Sequence, residues 1–208
     1  MKICLILMVL LVALSTATSV TYGSAVKLVE LPSPNGMWYL HSLDVQWSGA
    51  PRDQNIVTMV QEETNPAIYW VLVPDGSSAS GTPIQCGSQL RLQHAVTGKR
   101  LLSTMEKSML SRDLGVVASG SGADVFTVEC DSEVWAKGQR IALKHAQSGL
   151  YLKSSQLYTN GNCPRCPIVG QKEVTLGSPT YWAVDGGVIV HEIEKEKEIQ
   201  KQDVRDEL

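Results

Sequence analysis

Beyond its first 19 residues, the chain lacks any apolar stretch long enough to cross a bilayer, which takes about 20 residues. It also lacks helical periodicity, a phosphate-binding glycine loop, paired catalytic carboxylates and a recognisable order of Ser, His and Asp. No Asn-x-Ser/Thr sequence occurs, so N-glycosylation is not expected. These absences argue against a membrane-embedded protein, a helical protein and an enzyme.

A large charge of one sign is missing too. The net charge is −3, and it arises wholly from Glu192 onward, where seven acidic residues accompany four basic ones. The rest of the chain is balanced, which argues against nucleic acid or an anionic membrane as a partner.

The one long apolar run, residues 3–14, follows the basic start Met1-Lys2. Small residues come next, including Ala17 and Ser19, and this pattern is typical of a secretory signal peptide. We therefore predict a signal peptide over residues 1–19, with the cut near Ala17 or Ser19.

The chain ends in Arg205, Asp206, Glu207 and Leu208, close to the Lys-Asp-Glu-Leu address that returns proteins to the endoplasmic reticulum. Together with the signal peptide, it predicts residence in the lumen of that compartment. Residues 191–208 are mostly charged and read as a solvated tether for this retention signal.

The intervening residues, 20–190, carry a threefold repeat. In each copy a glycine-initiated strand pattern is followed by a Leu-x-Ser step, a β-branched pair and an aromatic strand. The aromatic positions Trp70, Phe126 and Trp182 lie 56 residues apart both times. A period this long indicates a repeated supersecondary unit. We place the repeats at about residues 20–75, 84–131 and 135–190.

The repeats predict an all-β fold. Leu90-Arg91-Leu92 alternates apolar and polar residues, as half-buried strands do. Gly98 and Gly149 stand where a tight hairpin needs a positive φ. Because propellers usually have at least four blades, three units favour a β-trefoil.

Four cysteines remain once Cys4 leaves with the signal peptide, and an oxidising lumen favours disulfides. We favour the pairs Cys163–Cys166 and Cys86–Cys130, the second because its members open and close the second repeat. A Cys-x-x-Cys loop could also act in redox chemistry or supply half a zinc site. The sequence after Cys166 has no helical pattern, and no second Cys-x-x-Cys motif exists, so a local disulfide within the loop is favoured.

His94 and His145 occupy equivalent repeat positions. Such positions lie far apart around a threefold axis, so we interpret both as structural, each satisfying a turn carbonyl. Trp70, Phe126 and Trp182 are predicted core residues because they sit within alternating apolar strands. Outside that register lie the surface candidates Trp38, Trp47 and Trp135.

Several segments resemble the stromal cell-derived factor 2 group of endoplasmic reticulum proteins: Gly23 to Leu28, Leu40-His41-Ser42-x-Asp44-Val45, Tyr69-Trp70 and Gly170 to Val174. The resemblance covers about residues 22–190 and implies a β-trefoil built from three MIR repeats. The Leu-His-Ser-His pattern is kept only in part, since Leu102 and Lys153 replace the first histidine in repeats two and three.

The resemblance implies a non-catalytic cofactor of luminal protein folding, which acts with a DnaJ-type co-chaperone and Hsp70 to keep unfolded clients soluble. The alternative is a mannose-type glycan-binding module, whose Leu-x-Ser turns would offer His41, Ser42, Ser103 and Ser154 to the sugar. A mannosyltransferase would need a membrane-embedded part, and a thiol oxidoreductase a helix-borne cysteine. Neither a metal nor a cofactor is expected.

Overall fold

The computed structural model describes residues 18–32, 35–46, 51–108, 111–158 and 171–191. These residues form twelve β-strands and one 3₁₀ helix, and no α-helix occurs among them, which confirms the all-β prediction. No helix in the described ranges has the length and apolar character to span a membrane. The strands are β1 Ala25–Leu31, β2 Tyr39–Ser42, β3 Gln54–Val60, β4 Tyr69–Pro74, β5 Gln89–His94, β6 Arg100–Lys107, β7 Leu114–Ser119, β8 Phe126–Glu129, β9 Ala142–His145, β10 Tyr151–Tyr158, β11 Lys172–Gly177 and β12 Tyr181–Val188, and the 3₁₀ helix is Pro66–Ile68.

The strands fall into three units of four, β1–β4, β5–β8 and β9–β12. Within each unit the second and third strands form an antiparallel hairpin, and the first strand contacts the fourth. The fourth strand of each unit pairs with the first strand of the next, as β4–β5, β8–β9 and β12–β1. Because β12 returns to β1, the sheet closes on itself.

The three hairpins also pair with one another. Strands β3, β7 and β11 make all three mutual antiparallel pairings, in which Ile56 faces Val117, Thr175 faces Gly115, and Glu173 faces Thr58. The β-branched pair predicted in each repeat therefore lies where the three units meet.

The apolar core is shared by all three units, and Trp70, Phe126 and Trp182 lie in it, fully buried as predicted. The indole Nε1–H of Trp70 donates to Leu40 O at 3.0 Å, and that of Trp182 donates to Leu152 O at 2.9 Å. Phenylalanine has no such donor.

In the second unit the backbone N–H of Asp124 takes that role and donates to Leu101 O at 2.9 Å. In each unit, the carbonyl of the Leu-x-Ser leucine therefore accepts a hydrogen bond. The donor lies in the strand that carries the aromatic residue or, in the second unit, just before that strand. This matters because a buried carbonyl without a partner is costly.

The surface prediction is wrong for two of the other tryptophans. Trp38 and Trp135 are both buried and belong to the apolar core. Trp135 lies at the start of the third unit and so falls outside the aromatic-strand register. Its backbone hydrogen-bonds to Val20 and Ile84, which belong to the other two units. Trp38 stacks under the ammonium of Lys172, whose Nζ lies 4.7 Å from the ring centroid. Trp47 lies outside the described residues.

The two predicted hairpin glycines are confirmed. Gly98 has φ of 69° and Gly149 has φ of 71°, values that glycine adopts without a steric penalty. The backbone N–H of each donates to the carbonyl oxygen of the histidine four residues earlier, Gly98 to His94 O and Gly149 to His145 O.

Candidate functional site

The Leu-x-Ser steps do not form turns, so that part of the glycan hypothesis is wrong. His41 and Ser42 lie in β2, Ser103 in β6 and Ser154 in β10. Side chains alternate across a strand, so the serine shares the inward face of the leucine two residues before it. All four predicted ligand residues are buried.

The three serines bond within the protein. The hydroxyl of Ser42 donates to Ile56 O at 3.2 Å, and that of Ser154 donates to the Glu30 carboxylate. The Ser103 hydroxyl accepts from Met105 N–H at 3.2 Å. All three hydroxyls therefore bond to groups within the protein and are not directed at a ligand on the surface.

The Glu30 carboxylate that accepts from Ser154 also forms a buried ion pair, which the sequence analysis did not predict. The ammonium of Lys172 on β11 donates to the second carboxylate oxygen of Glu30 on β1 at 3.2 Å, and both side chains are more than 90% buried. The Trp38 ring covers the cation. Buried charges are tolerated only when they are paired and hydrogen-bonded, and here both conditions hold.

His41 belongs to a second buried chain of polar groups. Thr58 on β3 donates its hydroxyl hydrogen to Gln171 Oε1 at 2.6 Å, so its oxygen is left to accept from His41 Nδ1–H at 3.2 Å. His41 Nε2 is then an unprotonated nitrogen, and no described residue forms a hydrogen bond with it. Burial, and then the nearby His94, lower the pKa of His41 to about 4.

Glu173 lies next to this buried chain of polar groups, since it faces Thr58 across the pairing of β3 and β11. It accepts a hydrogen bond from the Ser108 hydroxyl, and burial raises the pKa of its carboxyl. Among the residues that the structure describes, neither Glu173 Oε2 nor Thr175 Oγ1, two residues further along β11, has a hydrogen-bond partner. Within the described ranges, no group of three or more His, Cys, Asp or Glu could hold a metal ion.

His94 and His145 are both buried and bond within the protein, but only His94 bonds a carbonyl as predicted. His94 Nε2 lies 3.1 Å from the carbonyl of Ala67, and its Nδ1 lies 2.9 Å from Thr97 Oγ1. His145 Nε2 instead lies 3.1 Å from the carboxylate of Asp124. The carbonyl prediction is wrong for His145 because the segment before β8 supplies an aspartate at this place.

A disulfide joins Cys86 and Cys130, whose Cα atoms lie 5.5 Å apart. It links the start of the second unit to its end, 44 residues later in the sequence. Cys163 and Cys166 lie outside the described residues, as do Arg205, Asp206, Glu207 and Leu208.

Replacing both Cys86 and Cys130 with serine should lower the free energy of unfolding by about 2–4 kcal/mol, because the crosslink restricts the unfolded chain. Urea unfolding followed by circular dichroism measures the loss. Adding reductant to the wild-type protein should give a shift of about the same size, and adding it to the double variant should change the midpoint little, because a Cys163–Cys166 pair would close only a very short loop. An unshifted midpoint would contradict the disulfide's stabilising role.

The protonation of His41 predicts a dependence of stability on pH. Its pKa falls from 6.5 when unfolded to about 4 when folded, so the unfolded chain binds more protons between these values. This contribution is complete above pH 6.5 and is lost as the pH falls toward 4.

His41→Leu copies Leu102, its equivalent in the second unit. Between pH 7 and pH 4.5 the variant should lose about 2 kcal/mol less stability than the wild type, since only the wild type carries this group. Denaturant unfolding at the two pH values measures the difference. Parallel losses in the two proteins would show that His41 is not buried in its neutral form.

The geometry defines a closed all-β domain of three similar four-stranded units. Comparison with known proteins is consistent with this class. The chain is 32% identical over 189 residues to a stromal cell-derived factor 2-like protein of Dictyostelium discoideum, covering 84% of this chain and 86% of that protein. It is 33% identical over 192 residues to human stromal cell-derived factor 2, covering 86% of each. The chain therefore belongs to the stromal cell-derived factor 2 family.

Solved structures agree. The crystal structure of the SDF2-like protein from Arabidopsis thaliana matches with a TM-score of 0.72 at 26% identity, covering 85% of this chain and all of that one. A Caenorhabditis elegans protein of unknown function matches with a TM-score of 0.73 at 30% identity, covering 84% and 99%. No protein-family profile matches the chain.

The fold also resembles part of a larger enzyme. The Saccharomyces cerevisiae protein O-mannosyltransferase Pmt1-Pmt2 complex bound to the sugar donor matches with a TM-score of 0.70 at 24% identity, covering 86% of this chain and 26% of that chain. At this identity the likeness concerns the fold alone. The curated relatives themselves are named as factors and not as enzymes.

Proposed function

We propose that the protein is a non-catalytic cofactor of protein folding in the lumen of the endoplasmic reticulum. In this proposal it acts with a DnaJ-type co-chaperone and Hsp70 to keep unfolded clients soluble. The observation that carries the proposal is membership of the stromal cell-derived factor 2 family over more than four fifths of the chain. The signal-like start and the Arg-Asp-Glu-Leu ending of the sequence support the location.

The proposed architecture is a β-trefoil of three MIR repeats. Three four-stranded units, three hairpins that pair mutually, and one closed circuit of strands support it. The fold-level likeness to a segment of a mannosyltransferase supports it as well.

The last described residues support the proposal that the charged C-terminal segment carries only the retention signal. Val190 N–H donates to Ser24 Oγ at 3.0 Å, and Val190 O accepts from the Thr21 hydroxyl at 2.5 Å. The end of the folded domain is therefore held beside its start. His191, which follows, is exposed.

Deleting Arg205 to Leu208 should move most of the protein from the cell to the culture medium, because the tetrapeptide is read by a receptor. The matched control deletes residues 200–202 and keeps the ending, and it should stay inside. Immunoblots of cells and medium, with thermal unfolding of both variants, measure the outcome. Retention of the first variant at the wild-type level would contradict the proposed address.

The proposed partners can be tested by purifying the retained protein from native cell extract and identifying the bound proteins by mass spectrometry. We expect a DnaJ-type luminal protein together with Hsp70. Recovery of neither, from an extract in which both are detected, would contradict the cofactor proposal.

Glycan binding is the weaker candidate. The likeness to a mannosyltransferase complex bound to its sugar donor favours it at the level of fold. The four residues predicted to contact sugar are buried, and the three serine hydroxyls bond internally. A glycan array tests this candidate. Specific binding of mannose-type glycans would support it, and it would show that residues other than these four contact the sugar.

A further inference from the structure

The two sides of the disulfide between Cys86 and Cys130 have different surroundings. Cys130 packs against the apolar core, whereas the contact between Cys86 Sγ and Ser132 Oγ, at 3.7 Å, is exposed to solvent. Thiol–disulfide exchange begins when a thiolate attacks one sulfur of the bond, so it depends on access to that sulfur. The geometry therefore makes Cys86 the accessible side of the bond.

Backbone hydrogen bonds join the two ends of the second unit alongside the disulfide. Gly87 N–H donates to Val128 O at 2.7 Å, and Val128 N–H donates to Ser88 O at 3.0 Å. Cys86 N–H donates to Glu133 O at 2.9 Å. None of these three bonds involves sulfur, so breaking the disulfide leaves them in place.

The other two units make the same closure without a disulfide. Gly23 N–H donates to Leu72 O at 2.8 Å in the first unit, and Gly138 N–H donates to Val184 O at 3.0 Å in the third. Both bonds are equivalent to the one that Gly87 makes in the second unit. The sequence has no cysteine next to Gly23 or Gly138. Closure of a unit therefore does not depend on a crosslink.

The surroundings of Cys86 also suit a free thiol. The Ser132 hydroxyl donates its hydrogen to Val134 O at 2.8 Å, and its oxygen accepts from Gln139 Nε2 at 2.6 Å. The oxygen keeps one lone pair, and Cys86 Sγ lies 3.7 Å from it. A disulfide sulfur has no hydrogen to donate, whereas a thiol is a weak donor. Reduction thus adds a hydrogen bond from Cys86 Sγ–H to Ser132 Oγ.

We propose that Cys86–Cys130 is a thiol–disulfide exchange site, which a dithiol oxidoreductase reduces while the protein stays folded. A thiolate of the enzyme attacks Cys86 Sγ, and the electron pair of the broken S–S bond leaves on Cys130 Sγ, which takes up a proton. The second thiol of the enzyme gives up its proton and attacks the enzyme sulfur of the mixed disulfide. The enzyme is left with a disulfide, and Cys86 leaves as a thiolate that is protonated in turn.

Two electrons pass from the enzyme dithiol to the protein, and the backbone bonds hold both thiols in position for reoxidation. The Cα atoms of Cys86 and Cys130 lie 5.5 Å apart, a separation that a disulfide spans. This inference goes beyond the proposed function and does not depend on the proposed partners.

The first test treats the folded wild-type protein with dithiothreitol at neutral pH without denaturant. The thiols are then alkylated, and peptide mass spectrometry reads each cysteine separately. We expect both Cys86 and Cys130 to be alkylated while the circular dichroism spectrum stays that of the folded protein, because losing one crosslink costs less than the stability of a typical domain. The rate of reduction should not rise with urea below the unfolding transition.

Either of two results overturns the inference. One is a disulfide that resists dithiothreitol until urea unfolds the chain. The other is loss of the folded spectrum when the disulfide is reduced.

The second test identifies the attacked sulfur. Thioredoxin in which serine replaces the second cysteine of its Cys-x-x-Cys motif cannot complete the exchange, so it stays bound as a mixed disulfide. The Cys163→Ser, Cys166→Ser variant is used as its target, which leaves Cys86–Cys130 as the site of attack. We expect thioredoxin on Cys86. Capture on Cys130 overturns the assignment of the accessible side, and capture on neither overturns the proposal.

The role of Ser132 is tested by Ser132→Ala in a glutathione redox buffer. The equilibrium constant between the disulfide and the dithiol should move about twofold toward the disulfide, because only the dithiol form loses a weak hydrogen bond to Cys86. Ser78→Ala, a change at an exposed serine, is the matched control and should leave the constant unchanged. Equal constants for Ser132→Ala and the wild type overturn the part of the proposal that concerns Ser132.

Discussion

Replacing Trp182 with alanine is expected to lower the free energy of unfolding by about 3–5 kcal/mol, because removing a fully buried large aromatic side chain leaves a cavity. The loss includes the hydrogen bond from Nε1–H to Leu152 O. Trp70→Ala should have a similar effect, since Trp70 holds the same place in the first unit. Urea unfolding followed by far-ultraviolet circular dichroism measures both losses.

The second unit supplies the control. Phe126 fills the corresponding position there, so Trp182→Phe keeps an aromatic side chain and removes mainly the indole donor. It should cost less than the alanine change, although Leu152 O loses its partner. An alanine variant with the wild-type midpoint would contradict the burial of Trp182 and favour a surface role in stacking on sugar.

Replacing Lys172 with methionine is the second change with a large expected effect. It leaves the Glu30 carboxylate buried without its cation, and breaking a buried ion pair typically costs about 3–5 kcal/mol. The aliphatic part of the side chain is kept, so the loss reports mainly the missing charge. Equilibrium unfolding at pH 7 measures it.

A matched double variant separates charge from packing. Glu30→Gln combined with Lys172→Met removes both charges, and the glutamine carbonyl can still accept a hydrogen bond from the Ser154 hydroxyl. Because no uncompensated charge remains, the double variant should be more stable than Lys172→Met alone. If the single variant is as stable as the wild type, the pair is not buried as described.

The sequence predicted the features that depend on local pattern. Alternating strands and the positive-φ glycines Gly98 and Gly149 follow from short-range rules, and the structure confirms them. The core position of the three aromatic residues follows from the alternating apolar residues around each of them, and the structure confirms it. Repetition added long-range information, since equivalent residues had to occupy equivalent places in the three units.

The sequence did not predict features that depend on how the units meet. Glu30 and Lys172 are 142 residues apart, and no local pattern marks them as partners. Trp135 lies outside the aromatic-strand register, and its burial arises from contact with Val20 and Ile84 across unit boundaries, which no local pattern reveals. The prediction of turns at the Leu-x-Ser steps is wrong because these residues lie in strands, where leucine and serine share the inward face.

The proposed function depends most directly on whether the protein helps a DnaJ-type co-chaperone and Hsp70 keep clients soluble. The measurement is light scattering by an aggregating model client, with the purified co-chaperone and Hsp70, in the presence and absence of the mature chain. We expect lower scattering when the chain is added to the co-chaperone and Hsp70, and no such effect from the chain alone at the same concentration. Unchanged scattering at stoichiometric concentrations, with the chain shown to be folded by circular dichroism, would contradict it.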